Sequence, residues 1–244
     1  MPEWSQREAV TGWMPCPRAH CLKLAAASYR ARFGQQLVTP TQVKVAIIDA
    51  LSRTGLKEIQ ATSFVHPRAI PQLADAEQVM AQITRVPGVN YSALVPNPKG
   101  AERAVAAGVN AVDVVVSVSR SHCLSNTNMT PEVALAQAGV VAGIARAAGI
   151  GASIGFATAL GCPFEGFPPY ERVEAMVATA VEEHGFGRVT IADTVGMASP
   201  ARVEAVLGGL RRRFPAVDLT LHLHDTRRMG LTTADVPIHY NPLP

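Results

Sequence analysis

From Val38 onward the chain alternates between stretches with apolar residues at helical spacing and short runs rich in β-branched residues. "TPTQVKVAIIDALSRTG" places Thr39 as an N-cap and Pro40 at the first helical position; Val43, Ile47, Ile48 and Leu51 form one face, and Gly55 ends the helix. The strand "LKEIQATSFV" follows, then the helix "PQLADAEQVMAQITRV", the strand "NYSALVP" and the helix "PKGAERAVAAG". Next come the strand "AVDVVVSVS", a long helix from about Thr130 to Ala148, and the strand "GASIGFATA". The helix "PYERVEAMVATAVEEHG", the strand "RVTIADT", the helix "SPARVEAVLGGLRRRF" and the strand "VDLTLHLHDT" complete the series.

Strands separated by single amphipathic helices pair in parallel, because parallel neighbours need a crossover and the helix supplies it. About six such strands in unbroken alternation predict an α/β fold of the TIM-type (β/α)8 barrel class, for which roughly 250 residues is usual. A dinucleotide-binding sheet would want a GxGxxG turn after its first strand; "GIGASIG" has the wrong spacing and lies at a strand entry. The ends depart from the pattern. Residues 1–36 read as a poorly matching N-terminal segment without a clear strand, 37–226 as the βα core, and 227–244 as an irregular tail. A closed barrel would need one more strand at each end, so an incomplete barrel is predicted.

The candidate chemistry lies in "LTLHLHDT". Side chains alternate along a strand, so Thr220, His222 and His224 share one face while Leu219, Leu221 and Leu223 share the other. Barrel enzymes place their active sites at strand C-terminal ends, and two histidines at i and i+2 there can ligate one metal ion. A pair of hydrogen-bonded buried histidines is the other reading. Asp193 ends the strand before it, where a carboxylate needs a partner: a histidine one strand away, or the amides of a capped loop or helix. "EIQATSF" places Gln60 and Thr62 on one face, Asn97 follows another strand, and "GCPFEG" offers Cys162 and Glu165 in a turn-rich loop.

Composition narrows the partners. A net charge of +3, scattered cations and 5% aromatic residues argue against nucleic acid. Arg211, Arg212 and Arg213 suit a helix C-terminus instead. Cys16, Cys21, Cys123 and Cys162 show no paired CxxC spacing, which favours free thiols in a reducing compartment. No apolar run approaches the roughly 20 residues that a spanning helix needs, so no membrane partner is expected. The stretch from Thr11 to Gln36 has no acids and carries Arg18, Lys23, Arg30 and Arg32, compatible with a mitochondrial transit peptide; Glu3 and Glu8 favour a cytoplasmic location.

In order and spacing, "ATSFVHPRAIPQLADAEQVM", "VPNPKGAERAVAAG", "ALGCPFEG", "ADTVGMASP" and "LHLHDT" resemble the 3-hydroxy-3-methylglutaryl-CoA lyases, within the wider group of barrel metallolyases and acyl-CoA condensing enzymes. The resemblance covers residues 37–226. It implies cleavage of a 3-hydroxy-3-methylglutaryl thioester into acetoacetate and acetyl-CoA, with a divalent cation, Mg or Mn, as Lewis acid. It also implies His222 and His224 as metal ligands, His222 as a proton-transfer group, and Asp193 as an acid supporting them. Gln60, Ser63, Asn97 and Cys162 become the expected contacts of a small-molecule acyl-CoA substrate.

Some family features are absent from the sequence. The "RDGLQ" motif of the family's first strand has no counterpart before Val38, Gln60 stands where the family carries Glu, and the Asn ligand and Gly-rich Cys loop beyond Asp225 are missing. A truncated or frameshifted family member with unrelated ends is therefore expected. Two alternatives stay open: a related condensing enzyme, and an inactive barrel remnant or binding protein. Unclosed strand edges invite self-association, so a homodimer is an expected assembly.

Overall fold

The structure, a computed structural model, describes residues 21–22, 39–228 and 230. It contains two compact units, Met1–Val114 with Gly143–Ala152, and Val115–Ala142 with Ser153–Pro244.

The first unit holds β1 (Cys21–Leu22), α1 (Thr41–Ser52), β2 (Glu58–Ser63), α2 (Ala76–Gln82), β3 (Asn90–Leu94), α3 (Pro98–Ala106) and the opening residues of β4 (Ala111–Ser117). β1 to β4 pair in parallel. The short β1 corrects the expectation that the N-terminal segment carries no strand: Cys21 and Leu22 lie in register with Glu58 and Ile59, a pairing too short to leave a period in the sequence. The helix expected from Pro71 onward divides into a 3-10 turn at Pro71–Leu73 and the shorter α2.

Tyr91 marks which side of the first unit's sheet meets helices. Its ring is 1% exposed, its hydroxyl donates to Ser52 Oγ on α1 at 2.9 Å, and it accepts from the Val86 amide at 3.0 Å. A buried tyrosine needs such partners for its hydroxyl. Ile59 pairs with Tyr91 and shares that face, so Gln60, in register with Ser92, lies on the opposite one. The register then slips between Gln60 and Thr62, an irregularity that pairs Thr62 with Ala93 and Ser63 with Leu94. The extra residue, Ala61, shifts the alternation by one position. Ser63 therefore joins the face of Gln60, and Thr62 leaves it, correcting the sequence expectation that Gln60 and Thr62 lie together.

The second unit holds α4 (Arg120–Thr127), most of α5 (Pro131–Ala147) and of β5 (Gly151–Ala157), then α6 (Tyr170–Ala178), β6 (Arg188–Asp193), α7 (Pro200–Arg213) and β7 (Asp218–Leu223). β5, β6 and β7 pair in parallel. α4 has no counterpart in the sequence reading because "RSHCLSNT" lacks an apolar helical stripe; Ser119 caps it by accepting from the His122 amide at 3.2 Å. α6 continues into a π-helical turn, Thr179–Glu183. Val189 and Ile191 of β6 and Val203, Val206, Leu207 and Leu210 of α7 are buried in the core. No helix among the described residues is long and apolar enough to cross a membrane.

Candidate active site

On β7 the expected alternation holds. Thr220 is in register with Thr190 and the two hydroxyls hydrogen-bond at 2.6 Å, while His222 is in register with Ala192. Leu219, Leu221 and Leu223 pair with Val189, Ile191 and Asp193 on the other face. The small Ala192 beside His222 leaves room for its ring. Both imidazoles are exposed, which excludes the buried-pair reading, and their centroids stand 5.1 Å apart with planes tilted by 47°. Two rings that bind one cation through nitrogens at ~2.1 Å have centroids no more than about 6.5 Å apart, so this spacing suits a shared ion. Among the described residues no three His, Cys, Asp or Glu side chains gather into a complete ligand cluster. The histidine pair thus fits part of a divalent cation's shell, the rest of which would come from water, substrate or residues outside those described.

Asp193 sits in register with Leu223, on the leucine face, and is 3% exposed. Its carboxylate accepts the amides of Met197 at 2.8 Å and Ala198 at 3.0 Å. Of the two partners considered from sequence, the structure gives it the loop amides. The "DTVG" turn so fixed packs against the "HDT" turn: a Cβ on Gly196, whose φ is +70°, would lie 2.8 Å from Thr226 Cβ. Only glycine allows both that backbone and that approach. Asp225 in turn accepts the Gly230 amide at 2.7 Å. These two motifs, far apart in sequence, form one packed corner beside the imidazoles.

Cys162 is 1% exposed; its thiol donates to Ser119 Oγ at 3.0 Å, and the Phe164 amide donates to its sulfur at 3.4 Å. Backbone bonds between Cys162 and Gly166 close the "GCPFEG" loop, and Glu165 anchors it by accepting the Ser121 amide at 2.6 Å. That backbone hydrogen bond, foremost among its causes, holds the Glu165 carboxyl below its ordinary value. Ser119 also donates its amide to Thr158 Oγ1, and the Thr158 amide donates to Thr194 Oγ1 at 2.8 Å, so hydroxyls link the ends of β4, β5 and β6. His122 Nδ1 lies 2.7 Å from Ser117 Oγ, and burial lowers the pKa of this imidazole. Sequence reasoning missed Ser117, Ser119, His122, Thr158 and Thr194. The polar run "SVSRSH" after a valine strand was the available signal.

In the first unit, Gln60 is 7% and Ser63 4% exposed on their shared sheet face. Gln60 Nε2 donates to Asp113 Oδ2 at 2.5 Å. Asn97 caps α3, its Oδ1 accepting the Gly100 amide at 2.9 Å. Residues beyond Gly230 and most of those before Thr39, including Cys16, lie outside the described set.

A family model described as HMGL-like matches residues 32–239, most of the chain. The chain belongs to the HMGL-like family. It is 42% identical over 191 residues to the hydroxymethylglutaryl-CoA lyase YngG of Bacillus subtilis, covering 78% of this chain and 64% of that one. The crystal structure of the HMG-CoA lyase from Brucella melitensis superposes with a TM-score of 0.79 at 35% identity, over 83% of this chain and 71% of that one. An HMG-CoA lyase from Acinetobacter baumannii in complex with coenzyme A and 3-methylmalate superposes at 0.76 and 36% identity, over 82% and 65% of the two chains. Mammalian relatives include both mitochondrial and cytoplasmic forms. The chain has the family's TIM-type barrel fold, incomplete among the described residues, as the sequence predicted. The chain spans a little under two thirds of the length of YngG.

Proposed function

We propose that the chain carries out hydroxymethylglutaryl-CoA lyase chemistry, cleaving the 3-hydroxy-3-methylglutaryl thioester to acetoacetate and acetyl-CoA. The observation that carries this reading is the pair of exposed imidazoles, His222 on β7 and His224 just past its end, 5.1 Å apart, in a member of a lyase family. His222 and His224 would hold a magnesium or manganese ion, which when bound supplies Lewis-acid polarisation of substrate oxygens. In the state where its ring does not ligate the ion, His222 takes the proton of the tertiary hydroxyl. As that oxygen becomes the ketone of acetoacetate, the carbon-carbon bond breaks, its electron pair passes to the thioester enolate, and a proton completes acetyl-CoA.

The remaining residues divide by what their polar atoms already do. Gln60 and Ser63 are substrate contacts. Asn97 commits its carbonyl to the α3 cap and Cys162 its thiol to Ser119, so each shapes its own loop. Asp193 is a positioning residue: it fixes the loop that braces the turn after His224. Acetoacetate release from the thioester in the presence of manganese tests the proposal. Turnover by the wild type that falls at least ~100-fold in H222N, with folding intact, is expected; equal rates in both would refute it.

A further inference from the structure

Three strands of the first unit bring a carboxylate, a carboxamide and a hydroxyl together on the sheet face away from the helices. Asp113 on β4 is 7% exposed, as is Gln60 on β2. A single oxygen, Asp113 Oδ2, accepts both the Gln60 amide N–H at 2.5 Å and the Ser92 hydroxyl at 2.8 Å. Register explains the meeting: Gln60 pairs with Ser92, Ser92 with Ala111, and Asp113 follows Ala111 on the same face. In sequence, "AVDVVVS" shows only an acid among valines.

Such a contact fixes something a carboxamide otherwise leaves free. Gln can turn either end toward a neighbour, but an ionised carboxylate only accepts hydrogen bonds, so it selects the NH2 end. With that end turned to Asp113, Gln60 Oε1 is the acceptor left for a ligand. A position so fixed favours a ligand that brings a hydroxyl and disfavours the same ligand without one, because the acceptor would then be left unpaired.

We propose that Asp113 is a positioning residue for substrate specificity: it clamps the Gln60 carboxamide with its carbonyl oxygen outward, so that the site selects hydroxy acids over their deoxy counterparts. This rests on the reading of the chain as a lyase of a hydroxy-acyl thioester. Asp113 acts through Gln60 and touches no reacting atom. Gln60 without Asp113 could turn its amino group outward, which would erase the preference.

The test compares two uncleavable probes, 3-hydroxy-3-methylglutarate and 3-methylglutarate, by calorimetric titration of the full chain. The wild type is expected to bind the hydroxy acid at least ~10-fold more tightly, and D113N to bring that ratio close to one. The carboxamide that D113N introduces can meet Gln60 with either end, donating to Oε1 or accepting from Nε2, so the fold should persist, as circular dichroism would verify, while the orientation of Gln60 is no longer selected. A purely structural role for Asp113 would weaken both probes alike and leave the ratio unchanged. An unchanged ratio in D113N, a wild type without preference, or no binding of either probe overturns the proposal. Absence of acetoacetate from the thioester, with the ratio behaving as expected, would refute the lyase reading and leave the clamp standing.

Discussion

Two glycines on α5 separate the effect of helix propensity from that of space. A Cβ on Gly139 would lie 2.6 Å from the His184 ring, whereas one on Gly143 would meet nothing within 4 Å. Ala is preferred to Gly in a helix by up to about 1 kcal/mol, but forcing a methyl into a filled space costs typically about 1–3 kcal/mol. Thermal unfolding should therefore show G143A stabilised and G139A destabilised; the same sign for both would mean that the ring does not occupy that space. His122 gives a pH effect of known sign. Burial lowers its pKa below the ordinary 6.5, so the unfolded chain takes up the proton first. The associated stability is complete above that value and is lost as pH falls. Unfolding temperatures between pH 7 and 5 should drop more for the wild type than for H122Q, and parallel curves would count against a half-buried ring of lowered pKa.

At the scale of elements, Asn97 distinguishes capping from ligand contact. N97A should lose about 1 kcal/mol of stability and N97D should retain it, because Asp caps as well as Asn does; equal losses in denaturant melts would argue against the cap. The "GCPFEG" loop depends on a carboxylate. The Glu165 pKa is depressed, so its hold on the Ser121 amide is present above the unfolded value of 4.5 and fades as pH falls below it. Hydrogen exchange at Ser121 should accelerate, relative to its intrinsic rate, toward about pH 3.5 in the wild type and show no such step in E165Q. The helices were legible because apolar spacing is a local signal; the caps that Ser199 and Asn97 provide were not read from the sequence. The slip at Ala61 was not legible, since "QATS" offers no apolar contrast by which an extra residue could be seen. α4 was missed for the same reason: Ser119 caps it, but its sequence carries no stripe.

For the whole molecule, parallel pairing followed from the βα alternation, and the shared face of Thr220 and His222 followed from period-2 geometry. Asp113 could not be found that way, because its meaning comes from residues on two other strands. Asp193 lay at the expected strand end, yet its face was set by register with Leu223 and turned its carboxylate to the loop. The account as a whole depends on His222 and His224 sharing one cation. Titration of the full chain with manganese, following free ion by electron paramagnetic resonance, measures this directly. Saturable uptake that disappears in both H222N and H224N is the expected result; no uptake by the wild type, or uptake unaltered by either substitution, would contradict it.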